Sequence, residues 1–185
     1  GAGYVNTQAH DGYTIAKYSG APTSSILLDV ENFSDSVNYD VVILSGGAND
    51  AMTPAIEIGT TPDYTYSDGV ETTTAGAIFE LLKTARHKFI NAKIVFVLTP
   101  HQEFNYTAAT SKEREIWNII RSTCDMFGIP VIDLAKDGGL VGISSIGNVD
   151  TITSKYFHNS DGTHPNFEGY AYLIPIVANG INNIL

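Results

Sequence analysis

The chain is short of cysteine, methionine and positive charge. Cys124 is the one cysteine among 185 residues, so no disulfide forms within the chain. It lies in a stretch of helical periodicity and reads as a small buried hydrophobe rather than a nucleophile. Ten Lys and Arg stand against twenty Asp and Glu, for a formal net charge of −10. There is no basic stripe. That argues against nucleic acid or an anionic membrane surface as partner, because phosphate binding needs clustered cations. No apolar run approaches the roughly 20 residues of a membrane span, and no signal peptide is visible. Methionine occurs only at Met52 and Met126, and the chain opens Gly1-Ala2-Gly3-Tyr4. Such an opening reads as that of a chain processed, cut from a longer one, or carrying residues left by cloning.

What remains is the composition of a globular domain, 43% hydrophobic and 16% charged, long enough to bury a sizeable core. No repeat, low-complexity segment or linker divides it, so residues 1–185 read as a single domain. Tyr13 to Ser19 predicts a short strand entering the turn Gly20-Ala21-Pro22. Tyr39 to Ser45 is a β-branched and apolar run that predicts a buried parallel strand ending at Gly46-Gly47. Residues 51–70 lack periodicity and read as a long loop. Ala75, Ile78, Phe79, Leu82, Ala85 and Phe89 predict a helix over 72–90, with the Thr72-Thr73-Thr74 cluster as N-cap. Ala92 to Leu98 predicts a second buried strand. Ile116, Ile119, Ile120, Thr123 and Phe127 predict a helix over 111–127 with Gly128 as its C-cap. Ile129 to Leu134 predicts a third strand. A last helix over about 166–181 follows Pro165 and should be kinked by Pro175. Alternation of this kind implies a parallel sheet with helices on both faces, and a ligand site beyond the carboxyl ends of the strands.

Two segments at such places carry chemistry. Gly46-Gly47-Ala48-Asn49-Asp50 follows a strand directly. Its glycines allow a tight turn, and Asn49 presents an amide donor suited to a developing oxyanion. Asp50 is placed to pin the loop. The same residues also make an ordinary turn. In Asp161-Gly162-Thr163-His164-Pro165, a carboxylate and an imidazole stand three apart. Asp161 can hold the imidazole tautomer and leave the other ring nitrogen of His164 as a general base. Pro165 starts the final helix and fixes where His164 points. An Asx-type turn with a surface His is the plainer reading. Asp and His are also metal ligands, but no third or fourth ligand lies at useful spacing. His101 follows the strand-ending Thr99-Pro100 and is a candidate substrate contact, or simply a loop histidine. His158 competes with His164 as the base, while His10 and His87 read as surface residues in helical stretches. Loop tyrosines such as Tyr64 and Tyr66 suit stacking on sugars or the packing of loops.

Taken together, the strand-GxND segment and the DxxHP segment before a C-terminal helix resemble the SGNH/GDSL hydrolase superfamily. The resemblance runs from about residue 4 to the end. It implies a flavodoxin-like three-layer α/β/α sandwich with a parallel sheet. It implies that His164 is the base, that Asp161 orients it, and that Asn49 and the backbone N–H of Gly20, in Tyr18-Ser19-Gly20-Ala21, form the oxyanion hole. It implies a serine esterase that needs no metal or cofactor, acting on a small-molecule or glycan ester, with removal of acetate from carbohydrate as the family-level expectation. A secreted, cell-surface or virion-associated setting fits that substrate.

The family's first block, a strand running into Gly-Asp-Ser, has no match. Asp35-Ser36-Val37 lacks the preceding apolar strand and the following helix. Ser19 and Ser45 lack the strand-to-helix setting that exposes a nucleophile. The resemblance therefore places the nucleophilic serine, on an interior strand, in a missing N-terminal segment of the same polypeptide, with Tyr4 to His10 as the remnant of the first helix. The alternative is a non-catalytic glycan-binding or structural module, for instance of a phage tail or cell-surface assembly.

Overall fold

The computed structural model describes residues 5–34, 38–66, 69–99, 108–134, 136–138, 140, 155–157 and 164–185, with backbone alone at 108–111. In chain order these hold α1 (Ile26–Asn32), β1 (Val41–Leu44), α2 (Ala48–Met52), α3 (Thr74–Lys88), β2 (Lys93–Leu98), α4 (Ala108–Met126), β3 (Val131–Asp133) and α5 (Phe167–Ile184). The sheet order is β1-β2-β3 and both pairings are parallel, with Val42 opposite Ile94 and Val97 opposite Ile132.

β2 shows why the layers form. Its side chains alternate, so Ile94, Phe96 and Leu98 enter one cluster and Val95 and Val97 the other. On the first face lie Leu27 and Val30 of α1, Ala75, Ile78, Leu82 and Ala85 of α3, and Ile116, Ile120 and Cys124 of α4. On the second face α5 packs Leu173, Ile176, Val177, Ile181 and Ile184 against the sheet. The result is a three-layer α/β/α arrangement, as the alternation of strands and helices predicts.

Three local expectations need correction. Tyr13–Ser19 is not a strand: it makes one isolated parallel bridge, Thr14 to Ser25, because its next two amides go to a side chain described below. Residues 5–10 form no helix; they have no apolar stripe to bury, and Val5 is exposed. β1 is not fully buried. Among the described residues it pairs with β2 alone. Val41 packs into the α5-side cluster, alternation puts Ile43 on that same face, and Ile43 is 51% exposed. Phe167, Tyr170 and Ile174 form an exposed apolar stripe along α5. Pro175 lies within α5 without ending it; both Pro175 and Ala171, whose carbonyl loses its partner, lie on the exposed side.

The long loop after α2 is tied down at its far end. The first amides of α3, Thr74 N and Ala75 N, donate to Glu57 O and Ile58 O at 2.9 and 2.7 Å, which satisfies donors a helix start leaves open. Gly69 N donates to Glu80 Oε1 at 2.7 Å. The loop returns so close to α3 that a Cβ on Gly76 would stand 2.4 Å from both the N and O of Val70. Gly76→Ala therefore forces backbone apart, and the gain in helix propensity does not offset it. The expected net loss is about 2 kcal/mol, measured by urea denaturation.

Candidate active site

β1 ends at Leu44, and the chain then threads a narrow gap. A Cβ on Gly46 would lie 2.5 Å from Ile26 Cδ1 and 3.2 Å from Ile15 Cγ1. Gly47 follows at φ 110° and caps the start of α2; a left-handed turn of this kind favours glycine. The turn delivers Asn49 and Asp50 onto a short helix at the carboxyl end of β1.

Both side chains grip the segment at 13–16. Asn49 Nδ2 donates to Tyr13 O at 2.9 Å. Asp50 is wholly buried and accepts from Ile15 N at 2.7 Å and Ala16 N at 2.9 Å, one amide to each carboxylate oxygen. Thr53 Oγ1 donates to Asn49 O at 2.7 Å. From α4, Lys112 Nζ donates to the carbonyls of Asp50, Thr53 and Ile56 at 2.7, 3.0 and 2.6 Å. The gripped segment leads to Gly20, which lies in an exposed turn closed by Ala21 N donating to Tyr18 O at 3.2 Å. Lys17 steadies the passage between them, with Nζ 2.6 Å from Glu31 and 2.8 Å from Glu71.

His164 sits in an exposed bend directly before α5. Its neighbourhood is stapled by Asn166, the N-cap of α5, whose Oδ1 accepts from Gly169 N at 2.9 Å. The Asn166 Nδ2 donates to Lys155 O and Phe157 O at 3.0 and 3.1 Å, and its backbone N donates to Tyr156 O at 2.9 Å. At the other end of α5, Lys93 Nζ at the start of β2 donates to Ile184 O at 2.8 Å. The helix thus runs back along the sheet, and its first turn lies toward the carboxyl ends of the strands, the end at which β1 delivers Asn49. Asp161, His101 and His158 lie outside the described residues. Of the other histidines, His87 is exposed on α3, and His10 stacks on Tyr13 with ring centroids 4.5 Å apart, its Nε2 3.6 Å from Asp29 Oδ2.

Two residues of this arrangement escape a reading of motifs. Lys112 lies on the same helical stripe as the buried Ile116 and Ile120, and a lysine on an apolar stripe is the signal that it has a buried partner. Asn166 is an N-cap residue type immediately after His-Pro. A cleft of about 360 Å³ lies elsewhere, beside β3, lined by Arg121, Asp125, Asp133 and Lys136 among others, and it includes none of the candidate residues. Among the described residues no group of three or more His, Cys, Asp or Glu is placed to hold a metal ion, and no helix is long and apolar enough to cross a membrane.

Burial pushes the Asp50 carboxyl up to about 6, against the pull of the Ala16 and Ile15 amides and the Lys112 charge. With the folded value raised, this group's contribution to stability is complete below about pH 4 and is lost as pH rises through about 6, some 3 kcal/mol in all. Asp50→Asn removes that titration. It also offers only one acceptor oxygen for two amides, at a cost of about 1–3 kcal/mol for the orphaned donor. Urea denaturation of both proteins should show the wild-type advantage shrinking by up to about 3 kcal/mol between pH 4 and pH 7.

Comparison with known proteins gives this geometry a context. The family model for the GDSL-like lipase/acylhydrolase family matches residues 2–172. No curated protein sequence matches the chain. Among solved structures, a protein from Lactobacillus plantarum superposes with a TM-score of 0.72 at 18% identity, covering 93% of this chain and 77% of that one. A protein described as a GDSL-like lipase, from Bacteroides uniformis, gives 0.62 at 18% identity over 93% of this chain and 66% of that one. An acetyl xylan esterase gives 0.59 at 20% identity over 92% and 77%. At these identities the structural likeness is one of fold. The family match, however, runs through β1, the α2 turn and the opening of α5, and so takes in both segments on which the candidate residues stand: the chain belongs to the GDSL-like lipase/acylhydrolase family.

Proposed function

We propose that this chain carries the base and the oxyanion side of a serine ester hydrolase that removes short acyl groups, such as acetate, from carbohydrate. A serine from a segment outside these 185 residues attacks the ester carbonyl. His164 takes the hydroxyl proton and returns it to the leaving alcohol. Asp161 holds the imidazole, and a water activated by the same His164 then releases the acyl group. Asn49 Nδ2 carries two hydrogens: one goes to Tyr13 O, and the other, with the Gly20 N–H, meets the oxyanion.

The observation that carries this reading is the grip of Asn49 and Asp50 on residues 13–16. It fixes an amide donor at the carboxyl end of a parallel strand, where ligands of open α/β sheets bind. The side of β1 that pairs with no strand among the described residues, and the exposed Ile43, suit a further strand that brings the serine. Carbohydrate is supported by the fold shared with an acetyl xylan esterase and by Tyr64, an exposed ring in the loop after α2. A second reading, a glycan-binding module without turnover, is favoured by one observation, the lack of a Gly-Asp-Ser block among these residues.

Hydrolysis of an aryl acetate by the full polypeptide that carries these residues tests the proposal. His164→Ala should lower kcat by about 10²- to 10⁴-fold, and Asn49→Ala by about 10²- to 10³-fold. Turnover that survives His164→Ala unchanged removes His164 from the chemistry. Glycan binding without any turnover in the unsubstituted polypeptide supports the second reading instead.

A further inference from the structure

We propose that Lys112 is a positioning residue for the oxyanion side of the site. By holding the end of α2, its ammonium sets where Asn49 stands. The inference rests on the ester-hydrolase reading above, but its geometry stands apart from it.

α2 has only five residues, too few for a helix to hold itself. Its placement must come from outside, and α4 supplies it at both ends. At the start of α2, a Cβ on Gly47 would lie 3.1 Å from Ile116 Cγ2 and 3.3 Å from Ile120 Cδ1. One turn earlier on α4, Lys112 Nζ reaches the other end of α2 and the turn beyond it. There its bonds to the carbonyls of Asp50, Thr53 and Ile56 use all three ammonium donors. Carbonyls at a helix end carry the negative pole of the backbone and lack intrahelical donors, so a cation there is doubly favourable. The side chain is half-buried, and the same residue whose backbone oxygen it takes, Asp50, sends its carboxylate to Ile15 N and Ala16 N. A displacement of α2 therefore moves Asn49 and the 13–16 segment together, and with them both proposed oxyanion donors.

A second lysine makes the comparison that a purely structural role would fail. Lys88 Nζ donates to Val30 O and Glu31 O at 2.8 and 2.5 Å. It caps α1 by the same chemistry, and both of these bonds go to α1. Lys112→Met and Lys88→Met both keep an apolar stem and lose a carbonyl-capping ammonium, so both should lower stability.

The experiment compares the two variants in the full polypeptide with an aryl acetate substrate, at a temperature where both are folded by near-ultraviolet circular dichroism. Lys112→Met should lower kcat by about 10- to 100-fold with little change in KM, while Lys88→Met leaves kcat unchanged. In an Asn49→Ala background Lys112→Met should cost clearly less than it does alone, since part of its effect passes through that side chain. Equal kcat for the two lysine variants, or losses at Lys112 and Asn49 that simply add, overturns the proposal. Should the unsubstituted polypeptide show no turnover, the hydrolase reading fails by itself and amide exchange decides the present one. Faster exchange at Ile15 and Ala16 in Lys112→Met than in Lys88→Met supports the clamp, and equal exchange overturns it. Lys112→Gln, with the same measurements, serves if the methionine variant does not fold.

Discussion

A carboxylate with no exposed surface joins the two parts of the molecule that matter most. Asp50 comes from the turn after β1, and the amides it receives, from Ile15 and Ala16, lie about 35 residues earlier in the chain. A buried carboxylate is tolerated only when its oxygens are occupied, and here each oxygen has an amide. That pairing ties the turn that carries Asn49 to the path of the chain toward Gly20. Even so, desolvation wins over the hydrogen bonds, which is why the carboxyl titrates high.

The histidine side is held by a different device. Among the described residues Asn166 bonds to backbone groups, spending its backbone N, its side-chain oxygen and its side-chain nitrogen on one short stretch of neighbouring chain and on the first turn of α5. A neutral staple with every group engaged is insensitive to pH. The two sides of the proposed site are thus anchored differently: one by a buried titrating carboxyl, the other by a neutral amide.

Much of this was legible in the chain, and the exceptions have physical causes. β2, α3 and α4 declare themselves because each buries a face whose spacing matches its own period, as with Ile94, Phe96 and Leu98 against one layer and Val95 and Val97 against the other. The GxND and DxxHP segments stand out because few turns combine such residues. Tyr13–Ser19 misleads because a strand and a segment whose amides bind a carboxylate share the same apolar pattern. α1 carries little signal, because its seven residues offer only Leu27 and Val30 as a buried pair. β1 looks like an interior strand in sequence, since composition records what a strand can bury and not how many strands lie beside it. Lys112 is invisible to motif reading, because its partners are backbone carbonyls, which carry no sequence signal of their own.

Cys124, deep in the α4 layer, is wholly shielded from solvent, and burial raises its thiol to about 12. A sulfur in that setting is protonated at every physiological pH and out of reach of alkylating reagents. Because it is the one thiol in the sequence, it is a natural stopwatch: the rate at which a maleimide finds it reports how often the α4 layer lifts from the sheet, with no label or substitution needed.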